Sequence, residues 1–122
     1  MKLLNDFFTA GSCRYDDGGF TYNAVLNPAH FIYAAHFPKN PVTPGVCILQ
    51  MAEEILEQHE GCELELKTVN SIKYMAVISP GENAAVDYRF TSVTKTDKEY
   101  KVRVTVSSDS AVFAKMALTF RL

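Results

Sequence analysis

The chain has 122 residues, of which 48% are hydrophobic and 21% charged, and it carries a formal net charge of −2 at pH 7. This length suits a single domain, residues 1–122, with a real hydrophobic core, and it is too short for two such domains. The slightly negative charge gives no overall attraction to nucleic acid or to an anionic membrane, so we expect neither as a partner. No stretch is long and apolar enough to span a bilayer, and the default expectation is a cytoplasmic protein.

Neither the cysteines nor the histidines follow the spacing of a disulfide framework or of a metal site. The cysteines are odd in number and form no C-x-x-C pair, which favours free thiols in a reducing compartment: Cys13, Cys47 and Cys62. The histidines match no ligand motif, so we expect neither a metal nor another cofactor: His30, His36 and His59. At the N-terminus, Asn5 and Asp6 interrupt the apolar residues before a signal peptide could form.

In chain order, the first predicted element is a β-hairpin. Residues 7–15 and 20–26 are predicted as two strands, and the Asp-Asp-Gly-Gly sequence at 16–19 suits the tight turn between them. Asn27 and Pro28 end the second strand. Residues 30–35 carry no decisive pattern for either a helix or a strand.

A proline-rich loop over residues 36–44 leads into the most apolar helix-length run of the sequence. Proline fixes its own φ and favours extended geometry in the preceding residue, so three prolines predict a stiff loop: Pro38, Pro41 and Pro44. A helix is predicted over residues 46–58, with Gly61 as its stop. The free N–H groups and positive end of this helix face back toward the loop, which carries the titratable imidazole of His36 at its other end.

After Gly61 the hydrophobic period changes from 3.6 to 2, which predicts antiparallel strands with one buried and one exposed face. About six strands in total then accompany one long helix, which is an α+β fold. Because hydrophobic residues cover well over half of the helix circumference, we expect the sheet to curl around the helix. Such a sheet leaves an edge strand uncovered, and dimerisation can seal it.

The loop and the helix start also resemble a known family. The beta-hydroxyacyl-[acyl-carrier-protein] dehydratases carry a motif that reads roughly H-F-P-G-x-P-x-x-P-G-V before a catalytic helix, and residues 36–46 are similar to it. Residues 77–82 resemble the P-V-x-P-G-D turn of the same family, and the similarity covers most of the chain. The resemblance implies the hotdog fold, in which an antiparallel sheet wraps around one long central helix, and it implies a role in fatty acid biosynthesis.

The same resemblance implies a substrate and an assembly. The substrate is a 3-hydroxyacyl thioester, carried by an acyl-carrier protein or by coenzyme A, which loses water to give the trans-2-enoyl thioester. The assembly is a homodimer or a larger even oligomer, in which each active site lies at the interface and is built from both subunits.

The resemblance also implies roles for individual residues. His36 takes the place of the catalytic histidine, a natural base near pH 7. Gly45 takes the place of the backbone N–H that polarises the thioester carbonyl. The neighbouring motif residues are expected to contact substrate: Phe37, Pro44 and Val46. Tyr33, just before the loop, lines an acyl tunnel in one interpretation and packs against the sheet in the other.

Gln50 stands where the family has its catalytic Glu or Asp, and a carboxamide has no proton to give to the leaving hydroxyl. Three hypotheses follow. His36 acts alone while Gln50 orients the hydroxyl, or Glu54, one helical turn further on, supplies the acid. Alternatively, the subunit has lost catalysis and binds acyl chains or pairs with an active dehydratase. Hydrolysis of the acyl thioester is a further alternative.

Overall fold

A computed structural model describes residues 2–37 and 39–122 of the chain. Pro38, one of the prolines of the predicted loop, lies outside the described residues. Along the described residues, two strands precede two helices, and four further strands follow: β1 (Phe8–Asp16), β2 (Gly19–Leu26), α1 (Phe31–Ala35), α2 (Gly45–Glu60), β3 (Glu65–Tyr74), β4 (Ala85–Lys95), β5 (Glu99–Ser107) and β6 (Val112–Arg121).

The six strands form one antiparallel sheet in the order β1-β2-β4-β5-β6-β3, so that β1 and β3 are its edges. The predicted hairpin is confirmed, since β1 pairs with β2 from Phe8 opposite Leu26 to Asp16 opposite Gly19. The strands predicted after Gly61 are confirmed as β3 to β6. Their alternation places one face in the core: in β5, for example, Tyr100 and Val104 are buried.

The long helix α2 packs into the core that the inner face of the sheet provides. Its buried residues are mostly hydrophobic and lie among those of the strands: Cys47, Ile48, Met51, Ala52, Glu54, Ile55 and Leu56. Tyr88 of β4, fully buried, donates its hydroxyl to the Ile48 carbonyl at 2.9 Å. The helix begins one residue earlier and ends two residues later than predicted. Gly61 is the predicted stop, with a left-handed φ of 71° and its N–H on the Glu57 carbonyl.

The segment without a decisive sequence pattern forms the short helix α1. His30 caps it, because its Nδ1 accepts a hydrogen bond from the Ile32 N–H at 3.1 Å. Its Nε2 lies 3.1 Å from Asp6 Oδ2, so the ring is held on both sides. A single turn is too short to show a helical period, and histidine is not among the preferred capping residues, which explains why the pattern did not reveal this helix.

The edge strand β3 ends beside the first turn of α2 and exposes two hydrophobic side chains, Val69 and Tyr74. Within residues 2–37 and 39–122, neither helix has the length and apolar character needed to cross a membrane.

Candidate active site

The proline loop holds His36 in place through its backbone. The His36 N–H donates to the Ile32 carbonyl at 2.9 Å and so ends α1, while the His36 carbonyl accepts from the Val42 N–H at 3.0 Å. The Thr43 N–H donates to the Ile78 carbonyl at 2.9 Å, which ties the loop to the segment after β3. The peptide between His36 and Phe37 is cis. Both side chains are exposed, and their rings meet edge to face at 6.2 Å between centroids.

Tyr33 packs in the core and contacts this loop through Thr43. Its ring is buried and stacks on Phe7 with centroids 5.0 Å apart, and its hydroxyl shares a 2.8 Å hydrogen bond with Thr43 Oγ1. Burial raises the pKa of Tyr33 to about 12, so the phenol stays neutral. In the single chain, the contacts of Tyr33 are packing contacts, with Phe7 and Thr43. Its place beside an acyl tunnel stays a prediction.

The start of α2 presents backbone N–H groups next to the loop. Pro44 is the N-cap, and its carbonyl accepts from the Cys47 and Ile48 N–H groups at 3.0 and 3.1 Å. Within the described part of the chain, the N–H groups of Gly45 and Val46 have no acceptor. The first N–H groups of a helix carry its positive end, which favours a partly negative oxygen. Pro44, Gly45 and Val46, all predicted to contact substrate, therefore lie together at a place suited to a carbonyl.

Tyr74 is a residue of this region that the sequence interpretation missed. Its hydroxyl donates to the Gly45 carbonyl at 2.8 Å. Its ring packs so closely that a Cβ at position 45 would lie 2.8 Å from Tyr74 Cζ. A side chain at position 45 would therefore require the Tyr74 ring to shift. The only sequence signal was the nearness of Tyr74 to the matched segment 77–82, and no local pattern shows which residue an aromatic ring at a strand end contacts.

Gln50 and Glu54 contact one another on α2. Gln50 Nε2 donates to Glu54 Oε2 at 2.9 Å. The Glu54 carboxylate is buried, with 2% of the residue exposed, and it also accepts from the Leu3 N–H at 3.0 and 2.9 Å and from the Leu4 N–H at 2.7 Å. Both of its oxygens thus face N–H donors. On the other side of Gln50, burial raises the pKa of Glu53, and a hydrogen bond with Gln50 acts in the opposite direction.

His59 and the buried Cys47 lie in packed surroundings. His59 stacks on Phe20 with centroids 3.9 Å apart, and its Nδ1 lies 2.8 Å from the Tyr22 hydroxyl. Burial raises the pKa of the Cys47 thiol, which disfavours the thiolate. In the described residues, no group of three or more His, Cys, Asp or Glu side chains is arranged to hold a metal ion.

Comparisons with known proteins place the chain among dehydratases. The model of the ApeI-like family, described as ApeI dehydratase, matches residues 12–116. The 3-hydroxyacyl-[acyl-carrier-protein] dehydratase FabZ of Lactobacillus helveticus is 31% identical over 107 residues, covering 82% of this chain and 70% of the relative. FabZ of Latilactobacillus sakei is 28% identical over 101 residues, covering 77% and 71%.

Solved structures confirm the fold. A chain of the dehydratase heterocomplex ApeI:P from Xenorhabdus doucetiae superposes with a TM-score of 0.72 at 10% identity, covering 94% of this chain and 98% of the other. The putative thioesterase yhdA from Lactococcus lactis superposes with a TM-score of 0.69 at 10% identity, covering 100% and 97%. These likenesses confirm the predicted hotdog fold. Because the family model spans most of its length, the chain belongs to the ApeI-like dehydratase family.

Proposed function

We propose that this protein eliminates water from a 3-hydroxyacyl thioester to give the trans-2-enoyl thioester, with His36 as the base and the Gly45 N–H as the donor to the thioester carbonyl. The observation that carries the proposal is the arrangement of the loop and the helix start. A braced loop presents an exposed imidazole at one end, and at its other end two N–H groups have no acceptor among the described residues. This arrangement supports the proposal in a chain of a dehydratase family.

The chemistry needs a proton acceptor at C2 and a donor to the carbonyl oxygen. Neutral His36 takes the C2 proton, and the negative charge that develops on the thioester oxygen is stabilised by the Gly45 N–H. A donor of this kind contributes roughly 3–4 kcal/mol in other enzymes. The C3–O bond then breaks, and the proton held by His36 passes to the departing hydroxide, so that water leaves and His36 is neutral again.

Gln50 fits the role of a residue that orients the substrate hydroxyl. Its carboxamide donates to Glu54, and this hydrogen bond restrains the orientation of the group. Glu54 itself is a poor candidate for the acid, because its oxygens accept from the backbone of Leu3 and Leu4 as well as from Gln50. The contacts therefore support His36 acting alone over an acid supplied by Glu54.

A homodimer, or a larger even oligomer, is part of the proposal. The edge strand β3 has one side without a paired strand among the described residues, and hydrophobic side chains are exposed along it and just beyond it: Val69, Tyr74, Met75 and Val77. A second copy paired at this edge would bury them. The proposed substrate is the thioester of an acyl-carrier protein or of coenzyme A.

A second candidate function is favoured by the replacement at position 50. With Gln50 in place of the acid and Glu54 engaged by the N-terminal segment, the chain is suited to pair with a separate, active dehydratase subunit. The solved structure ApeI:P, whose fold this chain shares, is by its name a dehydratase heterocomplex.

One assay separates these functions: hydration of a short trans-2-enoyl thioester, followed by loss of the enoyl absorbance. We expect the wild type to be active, His36→Ala to lose roughly a hundredfold to ten-thousandfold in rate, and Glu54→Gln to retain its rate per folded molecule. A silent wild type together with an active Gln50→Glu variant would instead favour the paired, inactive subunit. Release of free thiol, detected with a thiol dye, would identify a thioesterase.

A further inference from the structure

Tyr74 reaches across from the end of β3 to the first turn of α2. Its hydroxyl donates to the Gly45 carbonyl, and its ring occupies the space that any side chain at position 45 would need. The residue is 48% exposed, so the ring is packed against the helix on one side and open on the other. Burial raises the pKa of Tyr74, which keeps the hydroxyl protonated and able to donate at neutral pH.

We propose that Tyr74 is a positioning residue for a second backbone donor to the thioester carbonyl, the Val46 N–H beside that of Gly45, an inference that rests on the proposed function. The Gly45 carbonyl and the Val46 N–H belong to the same peptide unit. A hydroxyl that donates to that carbonyl fixes the plane of the peptide and therefore the direction of the Val46 N–H. That N–H lies next to the Gly45 N–H and, like it, has no acceptor in the described residues.

The hydrogen bond also changes the donor strength of the peptide. Hydrogen bonds in a chain polarise one another, so an amide whose oxygen accepts a bond becomes a stronger donor through its N–H. The neighbouring peptide, between Pro44 and Gly45, is fixed differently, because the Pro44 carbonyl accepts from Cys47 and Ile48 within the helix. Tyr74, at the end of β3, thus restrains the peptide between Gly45 and Val46 in addition to the hydrogen bonds of the helix itself.

The test uses Tyr74→Phe, which keeps the ring and its packing and removes only the hydroxyl. Tyr15→Phe is the matched control, since the Tyr15 ring is exposed and its hydroxyl lies 3.4 Å from His59 at the far end of α2. We expect Tyr74→Phe to lower kcat for enoyl thioester hydration roughly threefold to tenfold, the effect of one hydrogen bond, with KM unchanged and only a small fall in the unfolding midpoint. Tyr15→Phe should match the wild type in kcat.

A spectroscopic readout separates positioning from a general structural effect. A bound dienoyl thioester absorbs at longer wavelength when its carbonyl is polarised, and this shift requires no turnover. We expect a smaller red shift in Tyr74→Phe than in the wild type and in Tyr15→Phe. An unchanged kcat and an unchanged red shift in Tyr74→Phe, with an active wild type, would overturn the inference and leave the proposed function standing.

If the wild type neither hydrates nor binds the thioester, the proposed function fails, and the carbonyl-binding role of Tyr74 fails with it. NMR without ligand then tests separately whether the Tyr74 hydroxyl bonds to the Gly45 carbonyl, through the ¹³C chemical shift of that carbonyl. That resonance should move upfield in Tyr74→Phe and stay in place in Tyr15→Phe. No movement in either variant would show that the hydroxyl does not restrain the peptide.

Discussion

Replacing Glu54 by Gln tests whether this carboxylate serves as an anchor for the N-terminal segment. The substitution keeps the shape but removes the charge, and it turns one acceptor oxygen into an NH₂ group that faces N–H donors. Hydrogen bonds to a charged acceptor contribute about 1.5–3 kcal/mol each and those to a neutral acceptor about 0.5–1.5 kcal/mol. Since Leu3, Leu4 and Gln50 all donate to Glu54, we expect a loss of roughly 2–4 kcal/mol in the free energy of unfolding. For a domain of this size, that corresponds to a fall in Tm on the order of 10 °C.

Urea and thermal denaturation measure this loss, and Glu57→Gln is the matched control one turn further along α2. Among the described residues, Glu57 accepts one backbone hydrogen bond, from the Leu64 N–H at 2.9 Å, so we expect its replacement to cost about 1 kcal/mol or less. Similar unfolding free energies for the two variants would refute the anchoring role. If Glu54→Gln were as stable as the control and inactive in hydration, Glu54 would be the acid after all.

Two further predictions concern the contact between Tyr74 and Gly45 and the turn of the first hairpin. Gly45→Ala places a Cβ 2.8 Å from the Tyr74 ring, so it should destabilise by about 1–3 kcal/mol in urea; a Tyr74→Ala background should remove most of this cost, and full additivity would contradict the contact. The hydrogen bonds of Asp16 with Arg89 and with the N–H of Gly18 hold the pKa of Asp16 at about 2, against 3.8 unperturbed. The ionised Asp16 therefore stabilises the fold above pH 3.8, and this stabilisation is lost as the pH falls through 2. Asp16→Asn should therefore unfold more easily than the wild type at pH 6, by a difference that shrinks as the pH falls from 3.8 through 2, and a difference independent of pH would exclude this linkage.

The parts of the fold that could be predicted from the sequence depend on neighbouring residues. The hairpin between β1 and β2 follows from two alternating segments around an Asp-Gly turn, and the end of α2 follows from a single glycine, Gly61, in a left-handed conformation. The length and hydrophobic character of α2 were enough to predict a sheet that covers it. Each of these features is determined by residues close together in the chain, where hydrophobic period and turn chemistry act directly.

The parts that could not be predicted depend on contacts between distant residues. Glu54 lies on the polar side of α2 in a helical projection, yet its carboxylate binds the backbone of Leu3, 51 residues earlier. Tyr74 meets Gly45 across 29 residues, because β3 is placed at the sheet edge beside the start of α2. Helical spacing gives the direction of a side chain from its own helix, but the partner that it meets depends on the topology of the whole sheet. The resemblance to a family supplied the proposed roles of His36 and Gly45 and could not supply these partners.

The contact between Gln50 and Glu54 bears on the proposal that Gln50 stands in place of a catalytic acid. The two side chains lie one turn apart and share a hydrogen bond, with the carboxylate at position 54 already bound to the N-terminal segment. A single Gln50→Glu change would place two carboxylates next to one another at i and i+4, an arrangement that destabilises a helix and favours protonation of one of them. The charge of Glu54 would then raise the pKa of a carboxyl at position 50. A raised pKa is the property that an acid for the leaving hydroxyl needs. Glu54, which now accepts a hydrogen bond from Gln50, would therefore also act on a carboxyl at that position.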